Sequence, residues 1–385
     1  MKIIIIGGGP AGLYFAILMK KLNPAHEITI FERDGPNDTF GWGIVFSDRT
    51  FSYLKENDYE SYVDITSSCE IWDNVDVVHK NQKISIGGNR FSGIGRLRFL
   101  NILHQRSQEL GVDLRFHTNV SDVSELVADC DLLVGADGAS SLVRRTYSDY
   151  FQPSLDVRKN KYIWLGTNQL FHGLTLTFQE HEAGLFIAHS YKFNKTTSTF
   201  IVECDEKSWR RAGFDKKSDD ETCEYLAEVF KNDLGGHSLL SNNFVKWLNF
   251  VLVRTMHWSH RNVVLLGDAL HTAHFSIGSG TKLALEDSIA LAKCFESHEE
   301  VDVALGEFEK VRKPIVEEYQ NAAYASLLLF ENASEEMHLD PIPFAYKLMT
   351  RSNRITDEKL RRRDPQFMAA YDRWREQHNG SKLKT

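Results

Sequence analysis

The first 32 residues contain a glycine-rich turn between two segments with strand character. Residues 2–6 (KIIII) are β-branched, as in a buried parallel strand, and residues 27–32 (EITIFE) predict a second strand. Between them lie residues 7–12 (GGGPAG) and an apolar helical pattern that Pro24 closes. Strand, glycine turn, helix and strand within about 30 residues predict a βαβ unit, and therefore an α/β fold.

The glycines of this turn are spaced as in a dinucleotide-binding motif. Gly7 permits the tight turn, Gly9 lets a diphosphate approach the backbone, and Gly12 lets the helix pack against the strand. The diphosphate would lie at the positive N-terminus of the helix. Glu32 follows 20 residues after Gly12, where a carboxylate binds a ribose hydroxyl. The motif predicts a dinucleotide site but does not separate NAD from FAD.

Two later segments each place an aspartate beside glycine directly after an apolar run. They are residues 131–144 (DLLVGADGASSLVR), with Asp137, and residues 263–280 (VVLLGDALHTAHFSIGSG), with Asp268. An aspartate there can accept a hydrogen bond from a sugar or ribityl hydroxyl, and the glycine leaves room for the ligand. Taken alone, either segment could also be a turn at the end of a strand.

The order of the three motifs resembles that of the single-component FAD-dependent aromatic hydroxylases, the para-hydroxybenzoate hydroxylase class. The stretches FGWGIVFSD, RKNKYIWLGT, STFIVEC and HTAHFSIGSGTKLALED are similar to the salicylyl-CoA 5-hydroxylases and to the monooxygenase part of 2-aminobenzoyl-CoA monooxygenase/reductase. The violacein-pathway hydroxylase shares KYIW, STFIVEC and HFSIG. The bifunctional enzymes continue into a reductase-like barrel after the monooxygenase part. We expect this sequence to correspond to the monooxygenase part alone.

This resemblance implies an FAD-binding Rossmann-type domain with an inserted antiparallel-sheet substrate domain and a helical C-terminus. The β-rich residues 160–204 and the helical pattern after residue 280 agree with it. The predicted divisions are 1–155 for the first part of the FAD-binding domain, 156–255 for the substrate domain, 256–300 for the second part of the FAD-binding domain, and 301–385 for the helical region.

The resemblance also implies which residues hold FAD. Arg96 matches the flavin-contacting arginine, although a solvated arginine at a helix start is the alternative, and residues 278–281 form an anion cradle before a helix. The implied cofactor-binding residues are Gly7, Gly9, Pro10, Ala11, Gly12, Glu32, Arg33, Gly43, Arg96, Asp137, Asp268, Gly278, Ser279, Gly280 and Thr281. The implied reaction uses NADH or NADPH and O2 to hydroxylate an electron-rich ring.

The substrate wall is predicted from the inserted sheet and from the segment before the flavin loop. Alternation in residues 184–192 (GLFIAHSYK) puts His189 and Tyr191 on one face with Leu185 and Ile187, and we favour that face for the pocket. A half-exposed sheet is the alternative, and Trp164 is interpreted as a core residue. The predicted substrate-binding residues are Trp42, His189, Tyr191, His274 and Phe275. The catalytic base stays open, with His189 and His274 as candidates.

Residues 40–48 (FGWGIVFSD) predict an aromatic loop, which is unusual because loops are commonly polar. In the family, this segment passes beside the isoalloxazine ring, in a loop associated with flavin movement. Gly41 and Gly43 would give the backbone room there. The alternative is an aromatic loop that fills a gap between domains.

Composition narrows the partners. A net charge of -8 with mixed signs argues against nucleic acid, and no apolar run reaches the roughly 20 residues of a membrane span. Five scattered cysteines without metal-ligand spacing indicate reduced thiols in a cytoplasmic protein without a metal site. We expect a monomer or homodimer that binds a small aromatic substrate, with a CoA or carrier-protein thioester among its forms. The cations considered for CoA phosphates are Arg158, Lys159, Lys161, Arg210, Arg211, Lys216 and Lys217.

Several other functions stay open. The substrate could instead be an indole or a phenolic natural product. A flavin-dependent halogenase or reductase is disfavoured, because the halogenase element WxWxIP is absent and GIVFS follows Trp42. A non-catalytic flavin-binding protein is disfavoured by the intact motifs.

Overall fold

The computed structural model describes residues 1–242 and 246–379. Its strands in chain order are β1 (Lys2–Ile6), β2 (Glu27–Phe31), β3 (Gly43–Ser47), β4 (Glu70–Trp72), β5 (Val75–His79), β6 (Gln82–Ile86), β7 (Phe91–Gly95), β8 (Asp113–Arg115), β9 (Leu132–Gly135), β10 (Pro153–Thr167), β11 (Leu174–His181), β12 (Gly184–Lys192), β13 (Ser198–Cys204), β14 (Leu239–Leu240), β15 (Leu248–Thr255), β16 (Ser259–His260) and β17 (Val263–Leu265).

The helices complete the described chain, and two 3-10 turns (Gly267–Ala269 and Phe275–Ile277) precede the long C-terminal ones. The helices are α1 (Pro10–Leu22), α2 (Asp48–Asn57), α3 (Tyr59–Ser67), α4 (Arg96–Glu109), α5 (Ser124–Ala128), α6 (Leu142–Thr146), α7 (Ser148–Phe151), α8 (Glu206–Arg211), α9 (Asp219–Val229), α10 (Lys231–Leu234), α11 (Gly280–Ser297), α12 (Val301–Glu331), α13 (Ala333–Glu336), α14 (Pro341–Thr350), α15 (Asp357–Arg363) and α16 (Pro365–Asn379).

The first sheet is the predicted nucleotide-binding sheet, with strand order β16-β17-β9-β1-β2-β8. All its pairs are parallel except the β16–β17 edge. The isoleucines of β1 are buried because β2 and β9 flank the strand and α1 packs on the sheet. α1 packs in turn against α4 and α11. The carboxyl ends of β1 and β9 therefore meet the N-termini of α1 and α6 at one edge.

The second sheet has eight strands in the order β14-β10-β13-β12-β11-β5-β6, with β15 paired to β10. One face packs against α9 and α10 through Phe186, Phe200 and Phe230. The other face packs in part on α14 and α16, through Ile187 and Phe344 among others, and in part faces a cavity. The second sheet thus has an apolar core with α9 and α10 on one side and the cavity on part of the other side.

The pairing of β5 differs from the predicted antiparallel sheet. β5 runs parallel to β11 and continues into β6, so residues from the predicted first FAD-binding part complete the second sheet. Parallel pairing needs a long crossover rather than a hairpin, which explains why the sequence pattern did not indicate it. The division at residues 155, 255 and 300 stays a prediction.

The segment FGWGIVFSD is a loop only at its start, and the loop prediction was wrong for its second half. Gly43–Ser47 forms β3, which pairs antiparallel with β7 in a small sheet completed by β4. Ile44 and Phe46 are buried in the core beneath this sheet, whereas Val45 is only partly buried. Strand alternation therefore explains why Phe46 is buried, whereas Phe40 and Trp42 precede the strand.

Two other observations concern the whole chain. All five cysteines are free. Within residues 1–242 and 246–379, no helix is both long and apolar enough to cross a bilayer. The predicted fraying of the last six residues lies outside the described residues.

Candidate active site

A cavity of about 1080 Å³ lies where the two sheets meet the C-terminal helices. Its lining comes from the glycine turn before α1, the inner face of the second sheet, the turn before α11, and the segment that follows α14. This volume is at the upper limit of typical ligand pockets, which range from about 300 to 1,000 Å³. The cavity is therefore large enough for more than one small molecule.

The glycine turn before α1 is built by close backbone contacts. Gly7 has φ +107, and a Cβ atom there would lie 2.3 Å from the carbonyl oxygen of Ala136. A Cβ on Gly12 would lie 2.3 Å from the carbonyl oxygen of Gly7. A Cβ on Gly9, by contrast, would meet nothing within 4 Å, because Gly9 lines the cavity. The turn thus presents bare backbone to the cavity.

Two helices begin at the cavity wall without a cap. Gly9 precedes α1 and Ser279 precedes α11, and neither residue makes a side-chain capping bond. Neither helix has an acidic residue in its first turn. Such N-termini leave N–H donors unsatisfied and carry partial positive charge. They are suited to a diphosphate at α1 and to an anionic ring system at α11.

The turn before α11 has the openness that the predicted cradle requires. Gly278 has φ +59, and Cβ atoms on Gly278 and Gly280 would meet nothing within 4 Å. Ser279 and Thr281 line the cavity beside them. The residues present fit the flavin end of FAD, because a planar ligand can approach this backbone without steric hindrance.

A buried ionic network supports this turn from behind. The Asp287 carboxylate accepts from His271 Nε2 at 2.7 Å and from Arg312 Nε at 2.8 Å. Arg312 also pairs with Glu286, which pairs with Lys282 at 2.6 Å. The network links α11 to α12, and His271 joins it to the segment that contains Asp268.

Glu32 and Arg33 lie at the end of β2. Glu32 accepts the N–H of Gly8 at 2.7 Å through Oε2 and the N–H of Asp34 at 2.9 Å through Oε1. Each oxygen retains a lone pair for a ribose hydroxyl. Arg33 is exposed and pairs with Asp34 at 3.2 Å. Neither Glu32 nor Arg33 is among the residues that line the cavity, and Glu32 adjoins it only through its bond to Gly8 in the glycine turn.

Arg96 and Asp268 face the same cavity. Arg96 begins α4 and donates from Nε to Thr39 Oγ1 at 3.1 Å. Burial lowers the pKa of Arg96, and nearby Asp268 opposes that shift. Burial raises the pKa of Asp268, opposed by His271 and Arg96. Arg96 therefore supplies a hydrogen-bond donor at one point of the wall, and Asp268 supplies an acceptor for a ligand hydroxyl at another.

Asp137 has a different position from the predicted one. Its Oδ2 accepts from the N–H groups of Leu142 at 2.6 Å and Val143 at 3.3 Å, so Asp137 caps α6 instead of lining the cavity. The free N–H groups at the start of α6 bind this carboxylate. Gly138, the next residue, does line the cavity.

The polar centre of the substrate wall is a buried histidine–carboxylate pair. His189 Nε2 lies 2.7 Å from Glu203 Oε1, and Asn160 Nδ2 donates to Glu203 Oε2 at 3.2 Å. Burial alone would raise the pKa of Glu203, but the hydrogen bond and charge of His189 outweigh it and lower the pKa. The ring of His189 lines the cavity and meets Phe275 edge-to-face at 5.3 Å.

Tyr191 connects this wall to β3. Its hydroxyl donates to the carbonyl oxygen of Gly43 at 2.7 Å, and the N–H of Gly43 donates to Thr199 Oγ1 at 2.9 Å. Burial raises the pKa of Tyr191, so it stays a neutral donor. Gly43 also lines the cavity, and a Cβ there would lie 2.6 Å from Cβ of Phe193. The second sheet therefore fixes both backbone groups of Gly43.

Two tryptophans differ from the sequence interpretation. Trp42 stacks on Gly166 and is not among the cavity-lining residues. Trp164, interpreted as core, lines the cavity instead and covers Gly41. The glycines at 41 and 166 make room for one indole each, and this exchange of positions is not visible in the sequence.

His274 also lies behind the wall. Its Nδ1 is 2.8 Å from Ser276 Oγ, which is 2.8 Å from Ser326 Oγ. Burial lowers the pKa of His274 to about 4, with Glu203 opposing. His274 is not among the cavity-lining residues, whereas its neighbour Phe275 is. Of the two candidate bases, only His189 reaches the cavity.

The C-terminal region contributes a part of the wall that the sequence did not indicate. The additional lining residues there are Met349, Arg351, Ser352, Asn353, Arg354, Ile355, Lys359 and Arg363. Their separation in sequence from every motif explains the omission, although the charge-rich run after residue 352 was a visible signal.

Comparison with known proteins agrees with this fold. The FAD binding domain family matches residues 1–322, so the chain belongs to that family and is an FAD-dependent aromatic monooxygenase. Its mixed α/β fold, with sheets and a helical C-terminus, is that of the class A hydroxylases. The structure of 2-methyl-3-hydroxypyridine-5-carboxylic acid oxygenase aligns with a TM-score of 0.70 at 18% identity, covering 94% of this chain and 98% of that one.

Three relatives have higher sequence identity. Salicyloyl-CoA 5-hydroxylase from a Streptomyces species is 40% identical over 100% of this chain and 76% of its own length. Protodeoxyviolaceinate monooxygenase from Chromobacterium violaceum is 36% identical, covering 89% and 92%. The 3-hydroxy-4-methyl-anthranilyl-[aryl-carrier protein] 5-monooxygenase from Streptosporangium sibiricum is 35% identical, covering 86% and 89%.

Proposed function

We propose that this monooxygenase uses NADH or NADPH and O2 to hydroxylate an aryl-CoA thioester that carries an ortho hydroxyl or amino group, such as salicylyl-CoA or 2-aminobenzoyl-CoA. Two of the three relatives described act, by name, on aryl thioesters with such a substituent. An ortho hydroxyl or amino group makes the position para to it electron-rich, which matches a 5-hydroxylation.

The observation that carries this proposal is the His189–Glu203 pair in the cavity wall. Because an ionised carboxylate can only accept, Nε2 of His189 donates to Glu203, and Nδ1 is an acceptor whenever the ring carries a single proton. A neutral imidazole held in this way can accept the proton of a phenol. Bound FAD supplies the oxygen-activating chemistry, and the chain supplies position, proton transfer and exclusion of water.

The apolar walls define how an aromatic ring would lie. Phe275 packs against Tyr162 at 5.0 Å and against the ring of His189, and Ile201 lines the cavity beside them. These surfaces hold a flat ring by its faces while His189 contacts its polar substituent. Water is excluded by the same contacts, because the rings leave few polar groups in this part of the wall.

A substrate panel tests the proposal. Purified protein reconstituted with FAD should oxidise NADH or NADPH faster with salicylyl-CoA or 2-aminobenzoyl-CoA than with the free acids. Mass spectrometry should show a product heavier by one oxygen atom. Stimulation by the free acids alone, without thioester turnover, would contradict the proposal. His237, an exposed histidine, provides the matched control for substitutions at His189.

A second candidate is hydroxylation of an indole or phenolic natural product. The observation in its favour is the 36% identity to protodeoxyviolaceinate monooxygenase over 92% of that protein. Bis-indole and phenolic compounds therefore belong in the same panel. Their turnover in the absence of thioester turnover would establish this alternative.

A further inference from the structure

The cavity wall carries many more cations than carboxylates. The described cationic lining residues are Arg49, Arg96, Lys282, Arg351, Arg354, Lys359 and Arg363, whereas the acidic ones are Asp268 and Glu318. The chain as a whole has a net charge of -8, so this excess is local to the cavity. Such a concentration of one sign favours a ligand of the opposite charge. The glycine motif assigns the FAD diphosphate to the start of α1 instead.

Several of these cations have partners within the chain. Lys282 pairs with Glu286 at 2.6 Å, and Arg96 is held by Thr39. The Arg351 guanidinium donates to Ser326 Oγ at 2.7 Å and to the carbonyl oxygen of Ser276 at 2.7 Å. These side chains shape the interior of the cavity.

The other group lies at the cavity mouth, on α15 and the turn before it. Arg354, Lys359 and Arg363 are exposed, and none makes an ion pair with any residue that the structure describes. The neighbouring Arg361 and Arg362, by contrast, pair with Asp357 and Glu358 and do not line the cavity. The unpaired cations of this helix are thus the ones that face the cavity.

Contacts of the three side chains hold them at this mouth. Arg354 stacks over the ring of Tyr319 at 4.0 Å. Lys359 Nζ donates to the carbonyl oxygen of Arg354 at 3.1 Å, and Arg363 Nη1 donates to Asn89 Oδ1 at 2.9 Å. Each retains N–H donors for a ligand, since arginine has five and lysine three. Residues 351–355 line the cavity continuously between this mouth and the interior.

We propose that Arg354, Lys359 and Arg363 bind the phosphate groups of a CoA thioester whose aryl group lies beside His189. This inference rests on the proposed function and assigns it a second binding subsite. Three cations match the diphosphate and 3′-phosphate of CoA, whereas a carrier-protein arm presents a single phosphodiester. The pantetheine chain would follow the wall formed by residues 351–355.

The cations considered from the sequence do not suit this role. Arg158 pairs with Glu331 and Asp156, both at 2.6 Å, and Arg210 pairs with Glu206 at 2.6 Å. Neither cluster is among the residues that line the cavity. Arg158 is held in a largely buried ion pair with Glu331, and Arg210 pairs with Glu206 on the surface. We therefore consider the cations at the mouth instead.

The test compares substrates that differ only in their phosphates. In the FAD-loaded enzyme, Lys359→Gln combined with Arg363→Gln should raise KM for the CoA thioester by about tenfold or more, since each lost phosphate contact is a charge-assisted bond. The pantetheine thioester of the same acid, which lacks phosphates, should change by less than about twofold on the same reasoning. Arg362→Gln, on the same helix, is the matched control and should leave both substrates unchanged.

A binding measurement supports the kinetic one. Adenosine 3′,5′-bisphosphate, titrated calorimetrically, should bind the wild-type enzyme and the Arg362→Gln variant and lose affinity in the double variant. It should inhibit turnover of the CoA thioester competitively. Arg354→Gln alone gives a second variant in which Arg363 and its contact with Asn89 are intact.

Four outcomes would overturn the inference: equal losses with CoA and pantetheine thioesters, no loss with either, a loss confined to the KM for NADPH, or a preference for a carrier-protein-bound substrate. Failure of the proposed function looks different. In that case no thioester of any kind stimulates the wild-type enzyme, while another aromatic compound does.

Discussion

At the residue scale, the chemistry of the site depends on few side chains. Glu203 is buried together with His189 and Asn160, so its carboxylate is held by two hydrogen bonds and fixes the imidazole. Removing one partner leaves a buried group unsatisfied, which commonly costs about 1–3 kcal/mol. His189 is therefore a positioned proton acceptor that contributes mainly to catalysis. Glu203 holds it in place and contributes mainly to stability.

We expect His189→Gln to lower kcat for a phenolic thioester by about 10²-fold or more, because general-base catalysis contributes that much. FAD binding should be unchanged, since His189 faces the substrate wall. Stopped-flow turnover and flavin absorbance give the two readouts, and His237→Gln is the control. A kcat within twofold of wild type would remove His189 from the mechanism.

Gly43 is the second residue at which a single atom has a large effect. A Cβ would lie 2.6 Å from Cβ of Phe193 while both backbone groups of Gly43 are hydrogen-bonded. Gly43→Val should therefore displace β3 and slow flavin reduction by NAD(P)H more than it weakens FAD binding. Rapid-reaction absorbance and FAD titration separate the two effects. Gly306→Ala, in the open part of α12, is the control, and unchanged reduction kinetics would contradict the expectation.

At the element scale, the uncapped start of α11 is the feature with the clearest consequence. Thr281 lies in the first turn of a helix that has neither a cap nor an acid there. Thr281→Glu would place a carboxylate at this N-terminus, where it competes with an anionic ligand. We expect FAD affinity to fall by about tenfold, which corresponds to about 1.4 kcal/mol. Thr281→Gln, of similar size but neutral, should lose much less, and equal losses would point to steric effects.

Elements formed by local pattern were predictable, and those formed by distant pairing were not. The predicted βαβ unit is present as β1, α1 and β2, because strand character and helical spacing are properties of each segment alone. β3 depends on β7, about 50 residues later, and β5 depends on β11, about 100 residues later. The cations of α15 were not predicted for the same reason: they approach the cavity through contacts between segments that are far apart in the sequence.

At the scale of the whole molecule, buried charges tie separate elements together. The carboxylate of Asp58 caps α3 by accepting from Ser61 N at 3.2 Å and also contacts Lys21 of α1 and Arg106 of α4. Burial alone would raise the pKa of Asp58, but these partners lower it to about 2. A lowered carboxyl pKa contributes stability above the unfolded value of 3.8, and that contribution is lost as pH falls toward 2.

Asp58→Asn should therefore destabilise the fold by about 3 kcal/mol near neutral pH, since it removes the buried charge that pairs with Lys21 and Arg106. The difference from wild type should shrink as the pH falls from about 4 to about 2. Denaturant unfolding at several pH values measures it, with the exposed Asp64→Asn as the control. A pH-independent difference would show that packing, not charge, makes this contribution.

The position of Trp164 has a consequence for how the enzyme can be observed. Its indole lines the cavity and covers Gly41, and its Nε1 is buried without a hydrogen-bond partner among the described residues. We expect the fluorescence of this indole to be quenched when a flavin or an aromatic thioester fills the cavity. Comparing wild type with Trp164→Phe would isolate that signal from the other six tryptophans. The chain thus carries an intrinsic optical reporter of ligand occupancy that requires no label.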